Sequence, residues 1–123
     1  MSLFNFFKDF VKKHRLNEPA SKNVFDHYFF DLKYFLHQDA SIENFASFLN
    51  ISIEKLEHIS NSYYSLSFDA LLNETRYKHF IDELESPYNQ NLPIETIIKI
   101  CGFENNNTFS NFVKERHINK QNT

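Results

Sequence analysis

From Val24 to Val113 the apolar residues of this chain recur at three- and four-residue steps and nowhere alternate one by one, which leaves helices as its regular structure. Val24, Tyr28, Leu32, Phe35 and Leu36, with Asp26, Asp31 and Lys33 between them, predict an amphipathic helix ending near Gln38. Ser41 caps a short helix carrying Ile42, Phe45, Ala46 and Leu49, and Asn50-Ile51-Ser52 reads as a turn. Ser52 then caps a helix through Leu56 and Ile59. Ser67 caps a longer one with Phe68, Leu71, Leu72, Phe80, Ile81 and Leu84, which Pro87 stops. Pro93 opens a further helix, where its missing N–H costs nothing, and Ile94, Ile97, Ile98 and Cys101 form its stripe. The fold class is all-α.

The only glycine stands at position 102, between two such apolar stripes. A short helix, a glycine able to take positive φ, a buried Phe103 and an Asn-capped helix from about Asn106 make the grammar of a helix-turn-helix. In that second helix Phe109, Phe112 and Val113 pack inward, leaving Asn106, Asn107, Ser110, Asn111 and Lys114 on the outer face. Residues 42–62 follow the same plan, with Glu54, Lys55, Glu57, His58 and Asn61 outward on their second helix. The expected architecture is two helix-turn-helix units joined by a linker helix, a homeodomain-like tandem. Gly102 and Phe103 are its structural turn.

Composition sharpens what remains. With 123 residues, 41% of them apolar and 15 Phe, the chain can build a core without staples. Residues 21–118 are expected to form the tandem, 1–20 a basic amphipathic arm for packing or dimerisation, and 119–123 a disordered tail. One Cys excludes an internal disulfide, no Cys/His spacing suits zinc, and Cys101 falls on a core stripe as an inert thiol, so a cytoplasmic location is expected. No apolar run approaches a membrane span or a signal peptide. Absence of a Gly-rich phosphate loop, a nucleophile elbow or a framed carboxylate pair argues against an enzyme, and no cofactor, metal or small-molecule ligand is indicated. The richness in Phe, Asn, Ile, Lys and Tyr is what AT-rich coding produces. Net charge is −3, with positive balance only in residues 1–20 and 93–123.

Read together, Ala46, Leu49, Asn50-Ile51-Ser52 and Leu56, then Ser67-Phe68, Leu72-Asn73 and Arg76, then Pro93-Ile94, Ile97, Gly102-Phe103, Thr108-Phe109-Ser110 and Lys114 resemble the DNA-binding domain of AraC/XylS-type transcription regulators. The resemblance runs from Ile42 to Lys114. It implies a transcription regulator whose partner is double-stranded DNA, read by two recognition helices in adjacent major grooves about 34 Å apart. Asn106, Asn107, Ser110, Asn111 and Lys114 in one helix, and Lys55, His58 and Asn61 in the other, would make the contacts.

Departures from the family pattern open a second reading. Glu57 and His58 stand where the first recognition helix usually carries a base, so Glu54 and Glu57 would face phosphates. Asn111 replaces the Arg after Phe-Ser, Ile98 replaces a small residue, and the closing helix after Lys114 is missing or vestigial. The alternative function is a degenerate helix-turn-helix module acting through protein contacts, with a homodimer or another protein as partner.

Overall fold

The computed structural model describes residues 18–121, with side chains from Ala20 to Asn119. Among the described residues six α-helices follow one another: α1 (Glu18–Asp26), α2 (Ile42–Leu49), α3 (Ile53–Tyr64), α4 (Phe68–Glu85), α5 (Ile94–Ile100) and α6 (Asn106–Gln121). A π-helical turn, His27–Asp31, extends α1, and 3-10 turns occupy Tyr34–Leu36 and Pro87–Asn89. Among the described residues there is no strand, as the periodicity requires. The expected arm lies outside the described residues except for Glu18–Ala20, which begin α1. Residues 119–121, expected in the tail, are helical as the last turn of α6, and 122–123 lie outside the described residues.

The chain divides into two compact units: one of the described residues up to Tyr34 with Asp39–Leu71, the other of Phe35–Gln38 with the described residues from Leu72 onward. Helix α4 begins in the first and continues in the second.

The first unit is built on phenylalanine. Phe25, Phe29, Phe45 and Phe68 are fully buried, with ring centroids 5.2 Å apart for Phe25–Phe29, 5.4 Å for Phe25–Phe45 and 5.8 Å for Phe45–Phe68. Each such side chain contributes about 1.5–3 kcal/mol by leaving water. This corrects the predicted first helix in two ways. Its buried face is Phe25 and Phe29, whereas Val24 and Tyr28 are half-buried and Leu32 is exposed. It also ends at Asp31: the Leu32 N–H reaches back to the His27 carbonyl at 2.9 Å, five residues away, and Lys33 takes φ +58. Phe35 is buried with the second unit and does not continue the α1 stripe.

Caps fall where the hydroxyls predict. Ser41 Oγ accepts the Asn44 N–H at 3.0 Å, Ser52 Oγ that of Lys55 at 3.0 Å, and Ser67 Oγ that of Ala70 at 3.2 Å. Between α2 and α3 the corner is turned by Asn50 at φ +57, a conformation a short amide side chain tolerates. At the far end of α3, Tyr64 Oη donates to Asp26, whose carboxylate also holds Lys22 Nζ at 2.6 Å. Burial, and then Asp26, hold the Tyr64 phenol well above its ordinary range.

The second unit packs Phe80 of α4, Ile97 and Ile98 of α5, Cys101 and Phe103 into one buried cluster, with Tyr77, Ile81, Phe109 and Phe112 against it. Ile98, the bulky replacement, is only 4% exposed and so has been accommodated. Ile94 and Leu84, expected on buried stripes, are exposed instead, each in a terminal turn of its helix and outside this cluster. Cys101 is fully buried, and desolvation, then Glu83, push its thiol up to about 12.

Gly102 has φ +98, as the turn requires. It is also walled in: a Cβ there would lie 2.6 Å from the Phe35 carbonyl oxygen and 2.8 Å from Arg76 Nε. Those two atoms are themselves bonded. Arg76, 7% exposed, donates from Nε to the Phe35 carbonyl at 2.7 Å and from Nη2 to the His37 carbonyl at 2.7 Å. Desolvation lowers its pKa from the ordinary value.

The two turns should therefore respond differently to one added methyl. Asn50→Ala is expected to cost about 1 kcal/mol and Asn50→Gly close to nothing, since only left-handed strain is involved. Gly102→Ala should cost about 2–5 kcal/mol, roughly 1–2 from the same strain and roughly 1–3 from overpacking. Denaturant midpoints with unchanged m-values measure both. A pH test follows from Cys101: its folded pKa lies above the ordinary 9.0, so the thiol's contribution is complete below pH 9 and is lost as pH rises toward 12. Melting curves across that window should fall less steeply for Cys101→Ala than for the wild type.

Candidate nucleic-acid interface

Helix α6 starts with a cap made from its own sequence. Asn105 Oδ1 accepts the Thr108 N–H at 2.9 Å and the Thr108 hydroxyl at 3.1 Å, so the first Asn of the run is structural and the next two are released to solvent. Phe109 and Phe112 then anchor the inner face. Phe109 lies 4.6 Å from Phe80 and 5.1 Å from Phe103, and Phe112 lies 6.2 Å from Phe103.

Helical geometry fixes what the opposite face carries. Asn107, Ser110, Asn111 and Lys114 fall at i, i+3, i+4 and i+7, and all four are exposed, as is Asn106. Among the described residues none of these five side chains forms a hydrogen bond or ion pair. The N-terminal end of the stripe opens onto a shallow groove lined by Glu95, Lys99, Asn105, Asn106 and Asn107. Farther along, Arg116 is turned inward: Nε meets Glu74 Oε1 at 2.9 Å and the guanidinium lies 4.6 Å from the Tyr77 ring centre. Its charge is spent inside the unit. Lys114 is thus the exposed cation of the α6 stripe.

Helix α3 presents a different surface. Glu57, expected to face phosphates, instead turns its carboxylate onto the N-terminus of α4, where Oε1 accepts the Phe68 N–H at 2.7 Å. A helix start offers unsatisfied N–H groups and a positive dipole end, and a carboxylate eleven residues upstream meets both. The predicted contact residues on this helix are also occupied. Asn61 Nδ2 donates to the Glu57 carbonyl at 3.0 Å, His58 lies 3.4 Å from Ser62 Oγ, and Lys55 is half-buried with a partner of its own. Glu54 remains exposed next to Ile53, and Tyr63 is exposed nine residues farther along the helix; Ile53 and Tyr63 are each more than two-fifths exposed.

The eight predicted contact residues thus separate into an open set on α6 and an engaged set on α3. Sequence periodicity placed both sets outward; the Asn61 and His58 bonds are one-turn contacts within α3, whereas Glu57 and Phe68 meet only once the chain has turned at Ser65, φ +60. Among the described residues no group of His, Cys, Asp and Glu could hold a metal ion, and no helix is long and apolar enough to cross a membrane. No family model, curated protein or solved structure matches the chain.

The corrected role of Glu57 separates the two carboxylates of α3. Glu57→Ala should lower stability by about 0.5–2 kcal/mol, the range for losing a helix cap, whereas Glu54→Ala should stay within about 0.5 kcal/mol of wild type. Urea unfolding followed by circular dichroism reads both.

Proposed function

We propose that the α5–α6 pair is a helix-turn-helix that binds double-stranded DNA, with α6 as the recognition helix. One observation carries the reading: the stripe Asn107, Ser110, Asn111, Lys114 faces solvent with no partner among the described residues while Phe109 and Phe112 fix the helix from behind. Three short polar side chains that keep their donors and acceptors free suit base edges in a major groove, where Asn pairs bidentately with adenine. Lys114 supplies a phosphate contact. The resemblance to AraC/XylS-type regulators, carried by Gly102-Phe103 and Thr108-Phe109-Ser110, points the same way and makes the protein a transcription regulator.

For the α2–α3 pair the reading is different. Its second helix offers phosphate the exposed Glu54 carboxylate, with the exposed apolar side chain of Ile53 next to it. That combination favours a protein contact on this surface, the degenerate-module alternative confined to one of the two pairs.

Gel shifts with genomic fragments at about 50 mM salt test the main reading, since counterion release makes binding strongest at low salt. Lys114→Ala should weaken binding on every sequence and flatten the salt slope by about one unit. Asn107→Ala and Asn111→Ala should instead relax the choice of particular bases in a randomised-site selection. Binding nowhere at that salt, or base preference indifferent to both Asn changes, rejects the assignment of α6. On the α3 side, Glu54→Gln should leave sequence choice untouched.

A further inference from the structure

Four peptide groups far from α6 in sequence reach the turn that aims it. Residues Phe35–Gln38 belong with the second unit, although the chain on either side of them belongs with the first. Their carbonyls at 35 and 37 hold the two arms of the Arg76 guanidinium at 2.7 Å each. Gly102 lies flat on the first of these bonds, with room for no Cβ, and the next residue, Phe103, is fully buried 6.0 Å from the guanidinium carbon. Phe103 in turn meets Phe109 and Phe112, the two rings behind the polar stripe. One unbroken set of contacts therefore runs from the 35–38 peptide through Arg76, Gly102 and Phe103 to the inner face of α6.

We infer that Arg76 is a positioning residue for base recognition, setting the pitch of the α6 stripe by pinning the Gly102 turn to the 35–38 peptide; the inference rests on the reading of α6 as a recognition helix. The chemistry suits that task better than simple cohesion. A planar guanidinium with two fixed donors matches two carbonyls two residues apart, and a lysine, with a single ammonium on a flexible stem, reaches one. The acceptors are main-chain oxygens, so neither pH nor salt in the ordinary range alters them. The clamp fixes orientation at the one point where the chain has no side chain to do so. Charge readout stays with Lys114, on the far side of the helix.

The test uses the full chain carrying Arg76→Lys, with Arg76→Gln as the second variant should the first not fold. Amide resonances of Gly102 and of residues 106–111 should shift, and their hydrogen exchange should quicken about tenfold, while the amides of α2 and α3 keep their positions. In a randomised-site selection the preference for the best site over the average site should fall about tenfold, with the salt slope unchanged. A purely structural role would lower the melting temperature and leave both the 102–111 resonances and the base preference of the folded protein as they were; that result overturns the inference. If the wild type binds no DNA, the reading of α6 fails separately. The resonances then decide whether Arg76 positions the helix, and native shifts at 102–111 reject it.

Discussion

A buried arginine that donates to two carbonyls is the interaction on which the second unit depends. Arg76 is the charged side chain among the buried described residues, and its two bonds at 2.7 Å satisfy the carbonyls of a segment with little regular structure to satisfy them otherwise. Removing either partner would strand a buried polar group, so the arginine, the 35–38 peptide and the glycine pressed against them form one cooperative element. The aromatic cluster around Phe80 and Phe103 supplies most of the apolar burial, but it is non-directional. Direction comes from the guanidinium.

The first unit solves the same design problem with other means. Its corner at Asn50 is exposed and takes φ +57, which a short amide side chain accepts. Its cohesion comes from stacked and edge-on phenylalanines, and its polar specification from the Glu57 carboxylate at the start of α4 and the Asp26–Tyr64 contact. Glutamate as a remote cap has a functional consequence. A side chain that looked like a repulsive charge on a nucleic-acid surface is part of the internal fastening, which leaves Glu54 as the acidic feature of that face.

Much of the fold was legible because the helices carry their own punctuation. Ser41, Ser52 and Ser67 cap where hydroxyls precede apolar stripes, Pro87 follows the end of α4, and Gly102 takes the positive φ expected of it. The buried face of the first helix was not legible because Val24-Phe25 and Tyr28-Phe29 offer two overlapping stripes, and periodicity alone does not choose between them. Nothing in Lys33 announces a left-handed residue. Arg76 could not be read as buried, since an apolar stripe has no place for a charge until its acceptors are known, and those lie 41 residues away. The outer face of α6 followed from spacing alone. The capping role of Glu57 did not, because it depends on a contact across a turn.

Gly102 has a further consequence at the level of the gene. Any single-base change in the first or second position of a glycine codon yields a residue with a Cβ, or a stop. At Asn50 comparable drift reaches Asp, His or Ser, residues with short or polar side chains that a bare left-handed corner tolerates. At position 102 every such neighbour collides with a carbonyl oxygen 2.6 Å away. The site is closed to stepwise replacement: its codon can vary only silently unless the 35–38 peptide moves first, and that peptide cannot move while Arg76 holds it. Three stretches of chain distant in sequence are thereby tied to change together or not at all.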